Sequence, residues 1–261
     1  MALGSKSLFN YGIQVTSLNC NLDFKNQMGG STLTAVLSLG FYSPQGLANE
    51  IATQLQSLDS VNVYTVTVNR NIMGGLQNRI TIATNGSFLQ LLFGSGPNVN
   101  SSCASLAGFN QTDYTGATSY TGSQTTGIIL IPDFVGYNYL NNFNTNLVFG
   151  AVNVSASGVK ESVTFSIQKF IFVEFMYEKK SNLLAWNNLF SWMIQQRQFD
   201  FTPEIFSPDT FFTVTLEQTD FEGQGLGYQM LEMLPDFPND YQTGSLKFRI
   251  IESLSRFLPP G

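Results

Sequence analysis

Histidine is absent from the 261-residue chain. With it go the commonest general base at neutral pH, the usual activator of a nucleophile and the commonest zinc ligand. Charge is scarce as well: Asp, Glu, Lys and Arg make up 11% of the residues, under half of the ~25% usual in globular chains. Cysteine occurs only at Cys20 and Cys103, far apart and in no CxxC arrangement, which reads as two buried free thiols. No run of about 18 apolar residues occurs, and the opening "MALGSKSLFNYG" lacks the apolar core of a secretory leader. The expectation is a soluble chain made in the cytoplasm, with neither signal peptide nor membrane span. Asn-x-Ser/Thr triplets at Asn85, Asn100, Asn110 and Asn153 follow from a composition rich in those residues and are discounted as glycosylation sites.

What fills the polar positions instead is Asn, Gln, Ser, Thr and Gly, around a hydrophobic content of 43% that is enough for real cores. A surface this poor in charge depends for solubility on burial against other chains, so the composition reads as that of an assembly component. Twelve basic residues stand against eighteen acidic ones, for a net charge of -6, and no basic run exceeds Lys179-Lys180. A phosphate-neutralising face is therefore not expected, and neither is nucleic acid as a partner.

Gly74-Gly75 and Gly94-Ser95-Gly96 read as hairpin and loop glycines, because no P-loop lysine follows and neither opens a helix after a buried strand. No cofactor is expected, and no catalytic or metal-binding residue is assigned. Carboxylates alone can hydrolyse glycosides, which makes Asp200, Glu204, Asp209, Asp220, Glu222, Glu232, Asp236 and Asp240 the residues to weigh. Most stand beside Gly, Pro or Asn in apparent loops, and nothing forces two together or isolates one in an apolar pocket. No EF-hand spacing is present either.

The expected fold class is α+β, mostly antiparallel β, in two β-rich domains that each carry a packed amphipathic helix. Residues 1–125 form the first. There "YGIQVTSLNCNLDFKN" reads as a hairpin and "STLTAVLSLG" as a further strand. Ser43 as N-cap, Pro44 at the first helical position, and Leu47, Ile51, Leu55 and Leu58 on one stripe predict a helix over 44–58. Alternating β-branched runs joined through Met73-Gly74-Gly75 predict a hairpin over 61–84. The polar "NQTDYTGATSYTGSQTTG" closes the domain.

Residues 126–261 form the second domain, built around one long strand over 162–177, about 50 Å at ~3.3 Å per residue. Val163, Phe165, Ile167, Lys169, Ile171, Val173, Phe175 and Tyr177 alternate onto one face, while the other is apolar only in its middle. Something must cover both. Asn182 or Ser181 starts a helix over 182–196, with Leu183, Trp186, Phe190 and Met193 on a stripe widened by Leu184, Leu189 and Trp192. It is expected to pack back over Phe170, Phe172 and Met176. Phe165, Ile167, Ile171, Val173, Phe175, Trp186 and Trp192 are the candidate interface residues.

Two stretches resemble structural proteins of tailed-bacteriophage virions. From Asn10 to Gly122, "STLTAVLSLGFYSPQGLANEIATQL", "YTVTVN", "NRITIAT", "SFLQLLFGSG" and "CASLAGFNQTDYTGATSYTG" follow in the order of a unit found in many virion proteins. In the second half "VKESVTFSIQKFIFVEFMYEKKSNLLAWNNLFSWMIQQRQFDFTP", with "FFTVTLEQT" and "KFRII", is similar to tail-hub and distal-tail proteins, where a long strand, a Trp-containing helix and an F-D-x-x-P turn recur. The resemblance implies a non-enzymatic ring or adaptor component of a tail or baseplate, located in the virion. Its partners would be copies of itself and neighbouring tail proteins, with no membrane contact. The alternatives are a glycan-binding module of a tail fibre, using Tyr114, Tyr120, Tyr137, Tyr139, Tyr228 and Tyr241 at loop tips to hold a host glycan, and a carboxylate-based tail hydrolase.

Overall fold

The computed structural model describes residues 7–70, 78–132, 143–154, 160–173, 175, 177–203, 211–217, 232–234, 237–243 and 246–251. Their strands pair antiparallel throughout, apart from an isolated parallel bridge between Asn21 and Ser102. The fold is α+β and mostly antiparallel β, with two α-helices among the described residues. The chain divides into two compact units. One comprises Ser7–Leu130 and Arg197–Thr213, the other Met1–Lys6, Ile131–Gln196 and Val214–Gly261.

The first unit opens with β1 (Leu8–Tyr11), β2 (Ile13–Val15), β3 (Asn21–Lys25), β4 (Leu33–Val36) and β5 (Gly40–Tyr42). The hairpin expected over "YGIQVTSLNCNLDFKN" does not form. Strand β2 pairs with β5, and β3 pairs with β4. Alternation identified the strands, but their partners are chosen by packing at a distance. Helix α1 (Pro44–Leu58) follows its local signals: Ser43 is extended and its Oγ accepts from the Gly46 N–H at 3.0 Å, Pro44 begins the first turn, and Leu47, Ala48, Ile51 and Leu55 are buried. After it come β6 (Tyr64–Asn69), β7 (Arg79–Thr84), β8 (Leu89–Leu92), β9 (Asp113–Ala117), β10 (Ser119–Thr121) and β11 (Ile128–Leu130). The expected hairpin is the pair β6 and β7; its Gly74-Gly75 turn lies outside the described residues. The core packs α1 onto Phe24, Tyr64, Val66, Ile80, Ile82 and Phe93.

The second unit contains β12 (Phe143–Val154), β13 (Lys160–Val173), β14 (Glu178–Lys179) and α2 (Leu183–Ile194). The chain then gives β15 (Phe199–Thr202) to the first unit, continues through β16 (Phe212–Leu216), and ends its described part with β17 (Glu232–Leu234), β18 (Phe237–Gln242) and β19 (Leu246–Ile250). In the second unit the order β16-β19-β13-β12 forms one sheet and β14-β18-β17 another.

The long strand is 14 residues, not the expected 16, and is displaced toward the N-terminus. Opposite β12 its register steps from Phe149↔Ser166 to Gly150↔Thr164, which makes Phe165 a bulged residue and breaks the single alternation read from the sequence. It stops after Val173 because Phe175 bonds to Thr243 instead, through its N–H to Oγ1 at 2.9 Å and through its carbonyl to the Thr243 N–H at 2.8 Å. Both faces are covered in the middle, as the apolar residues required: Phe170 and Ile171 are each buried.

Helix α2 also departs from expectation. Trp186, Leu189, Phe190, Trp192 and Met193 are buried, but Leu184 is 71% exposed. Its Trp186 ring meets Phe175 at 5.2 Å, a residue the sequence placed on the opposite face from Phe170. The helix closes with Gln196 in the left-handed region (φ 56), where its N–H reaches the Met193 carbonyl, a cap usually supplied by glycine.

Candidate functional site

The residues with the greatest chemical potential are the buried carboxylates, and each has a set of donors. Asp200 comes from "FDFT", which reads as a turn but is strand β15, registered against β1 with Asp200 opposite Asn10. It is fully buried. Its Oδ2 accepts from the Gln45 N–H and from Arg70 Nη2, each at 3.0 Å, and its Oδ1 from the Thr213 hydroxyl at 2.8 Å. Gln45 is the second residue of α1, so the carboxylate satisfies one of the helix's orphan N–H groups at the positive end of its dipole. Arg70 also donates to Gln45 Oε1 at 3.0 Å, and its guanidinium lies 3.6 Å from the centre of the Phe211 ring. Burial lowers the Arg70 guanidinium from its ordinary value, and Asp200 acts against that. With three donors on it, Asp200 serves as a structural acceptor.

Asp113 and Asp23 fasten the first-half motifs to one another within this chain. In "LLFGSG", the N–H groups of Gly94 and Ser95 point at Asp113 Oδ1 at 2.8 and 3.0 Å, and Ser95 Oγ donates to Oδ2 at 2.5 Å. Asp113 is the acid of "DYTG", and the next residue, Tyr114, stands edge-on to Phe93 and to Phe109 of "LAGF" at 6.1 and 5.2 Å. Asp23 accepts from Thr34 Oγ1 at 2.6 Å and from the backbone and side-chain amides of Asn98 at 2.7 and 2.9 Å. A Cβ on Gly96 would fall on the Asp23 carboxylate and 2.6 Å from the Leu92 carbonyl, so the second glycine of the loop is there for space. These motifs are fastenings between a loop, a turn and a strand.

Asp59, just past the end of α1, takes hydrogen bonds from Asn26, Asn62, the Val61 and Asn62 N–H groups and the Tyr64 hydroxyl. Burial alone would raise this carboxyl, but the donors outweigh it and hold it well below its ordinary range. Asp113 and Glu50 are lowered in the same way. In the opposite direction, burial raises Tyr64, aided by Asp59, and pushes the Cys103 thiol up to about 12. The depressed carboxylates bind protons more readily in the unfolded chain, so their stabilisation is present above an unfolded pKa of about 4 and is lost as pH falls through the lower folded values. The raised Tyr and Cys groups stabilise the fold at neutral pH and lose that contribution as pH climbs above about 9. Urea midpoints measured from pH 3 to 10 are expected to form a plateau with both limbs falling. Asp59→Asn should flatten the acid limb.

The remaining candidates fall as follows. Glu232 lies on β17, and Asp240, on β18, pairs with Lys179 Nζ at 2.6 Å. Glu204, Asp209, Asp220, Glu222 and Asp236 lie outside the described residues. Of the interface candidates, Ile171, Val173, Phe175, Trp186 and Trp192 are all buried within this chain. Trp186 donates its indole N–H to the buried Glu178 at 2.8 Å. Phe165 and Ile167 lie on β13, with their side chains outside the description. The five buried side chains form a core, and a core cannot also face a neighbour.

Of the loop tyrosines, Tyr120 is buried, its hydroxyl accepting from the Ala117 N–H at 2.8 Å and lying within donating reach of the Leu89 and Ala117 carbonyls at 3.0 and 2.8 Å. Tyr114 belongs to the aromatic cluster, and Tyr241 sits on β18 opposite Glu178. Tyr137, Tyr139 and Tyr228 lie outside the described residues. Cys20 and Cys103 are both free and both belong to the first unit's core. An open groove beside α1 offers Thr53, Gln56, Ser57 and Tyr64 as polar groups, and each already bonds to the chain.

A surface the residue-by-residue reading passed over is the edge of β12. Among the described residues this strand pairs with β13 and ends the sheet order. Its twelve residues, "FNTNLVFGAVNV", contain no charge and no proline, the two devices that commonly blunt an edge. The signal was legible in the sequence as an uncharged β-prone run; its place at an edge was not. No protein-family model matches the chain, and no curated protein matches it. Among the described residues no helix is long and apolar enough to cross a membrane.

Proposed function

We propose that this chain is a non-enzymatic structural protein that works by assembling with other subunits, as a ring-forming or adaptor component of a bacteriophage tail or baseplate. The observation that carries the assembly part is the uncharged edge of β12. A row of about forty ångströms of strand edge, at ~3.3 Å per residue, presents backbone donors and acceptors that a neighbouring strand satisfies better than water does. The virion part rests on the resemblance of the two motif series. The buried carboxylates support a non-enzymatic reading, because Asp200, Asp59 and Asp23 each hold backbone or side-chain donors in place. The glycan-binding alternative loses one of its six tyrosines, Tyr120, to the core.

The test is the mass in solution of the wild type and of Asn144→Lys/Asn153→Lys, measured by light scattering over a concentration range. Asn153 stands opposite Glu161, and Asn144 falls at a register step with no partner of its own, so two lysines charge the edge without placing like charges across β13. The wild type is expected to form discrete higher-mass species, and the variant to need at least ~10-fold more protein to do so, the effect of a 1.4 kcal/mol penalty at 25 °C. A wild type that stays monomeric at every concentration, alone and with tail proteins added, would reject the proposal.

A further inference from the structure

Resting on that assembly reading, we infer that the occupant of the β12 edge is β12 of a second copy, paired antiparallel about a two-fold axis. Three observations carry it. The edge has no charged residue from Phe143 to Val154, so it holds no charge pattern with which to select a foreign strand. A copy of itself approaches without local repulsion. The polarity of the strand is also symmetric: the apolar block Leu147–Val152 is bounded by Asn146 and Asn153. Reversed against itself, such a strand lays apolar block on apolar block and amide near amide, which is the self-complementarity a two-fold contact requires. Finally, β12 is the terminal strand of the order β16-β19-β13-β12. Pairing it with itself therefore joins the β12-edged sheets of two copies into one and removes an edge from each.

Because side chains alternate faces along a strand, a two-fold register must be centred on a residue for the faces of both copies to match. Phe149 and Gly150 flank the midpoint of the apolar block, so the axis falls at one of them. A register centred on Phe149 sets Leu147 against Ala151 of the other copy.

The experiment is a cysteine scan, with Leu147, Val148, Phe149, Gly150 and Ala151 each replaced by Cys in the full chain. Each variant is oxidised with diamide and run on a non-reducing gel. Cys20 and Cys103 are buried, so the wild type serves as the silent control. The expected result is a band shifted to twice the chain mass, strongest at Phe149→Cys or Gly150→Cys, weaker on either side, reversed by dithiothreitol, and lost when Asn144→Lys/Asn153→Lys is added. Only variants whose mass by light scattering matches that of the wild type are scored. If the wild type assembles and every scored position fails to cross-link, β12 takes a different strand and the inference falls while the assembly reading stands. If the wild type alone is monomeric, this inference falls, and the assembly reading falls with it only if the protein also stays monomeric with tail proteins added.

Discussion

Replacing Asp200 with leucine is expected to destabilise the protein by about 3–5 kcal/mol, the cost of leaving a buried ion without its partner. The carboxylate and guanidinium side chains are 0% and 4% exposed, so water cannot take the place of either. Losing Asp200 also orphans the Gln45 N–H and the Thr213 hydroxyl. Among the described residues Arg70 Nε and Nη1 are already buried without a partner, so its bond to Gln45 and its stacking on Phe211 would have to hold the whole charge. For a chain of this length the loss corresponds to a fall in Tm of roughly 6–20 °C. The double variant Arg70→Met/Asp200→Leu separates charge from shape. Replacing a buried pair by apolar residues of similar volume is often neutral or stabilising, so the double variant should recover most of the loss. A single-variant loss below about 1 kcal/mol in urea titration would show that the pair is hydrated and that β15 is held by its strand pairing alone.

The same residue shows where sequence reading stopped. Helix α1 was legible because all its determinants are local: a serine cap, a proline in the first turn and apolar residues three and four apart, all within fifteen residues. The β6 and β7 hairpin was legible for the same reason, since each strand's partner is its neighbour in the chain. By contrast, "FDFTP" was expected to be a turn, because the resemblance to tail-hub and distal-tail proteins implies an F-D-x-x-P turn there. It is a strand because Phe199 and Phe201 pack on Phe9, at ring separations of 6.0 and 5.1 Å, and Asp200 finds Arg70 130 positions away. No local rule carries that information.

Five of the seven interface candidates, Ile171, Val173, Phe175, Trp186 and Trp192, are buried within the chain for a related reason. An apolar strand beside a Trp-bearing helix states that something must be covered, but the cover proved to be the chain's own Phe175, Trp186 and Phe190 cluster. Among the described residues the uncharged strand that ends its sheet is a different one, β12. Its signal was an absence, twelve residues without charge, and absences become informative only once a strand's place in the sheet is known.

Gly108→Ala is expected to cost about 2–5 kcal/mol, and the reason can be isolated with a neighbouring glycine. Gly108, the glycine of "LAGF", has φ +75, and an added Cβ would land on the Gln124 carbonyl oxygen and 3.0 Å from Thr126 Oγ1. Backbone bonds hold the residue there: its N–H reaches Ser105, its carbonyl receives the Gln124 N–H at 2.9 Å, and the following Phe109 N–H reaches Ala104 at 2.8 Å. Two terms therefore add, roughly 1–2 kcal/mol for a left-handed L-residue and about 1–3 for displacing packed backbone. Gly116, in "DYTG", also has positive φ, +87, but nothing lies within 4 Å of its added Cβ. Gly116→Ala should cost only the first term, about 1–2 kcal/mol, and the difference between the two urea midpoints measures the clash. Because Gly108 seats Phe109 against Phe93 and Tyr114, near-ultraviolet circular dichroism from those rings should weaken in Gly108→Ala and persist in Gly116→Ala. Equal losses in the two variants would mean that the Ala104–Phe109 turn yields without strain and that the fit of Gly108 against Gln124 carries no cost of its own.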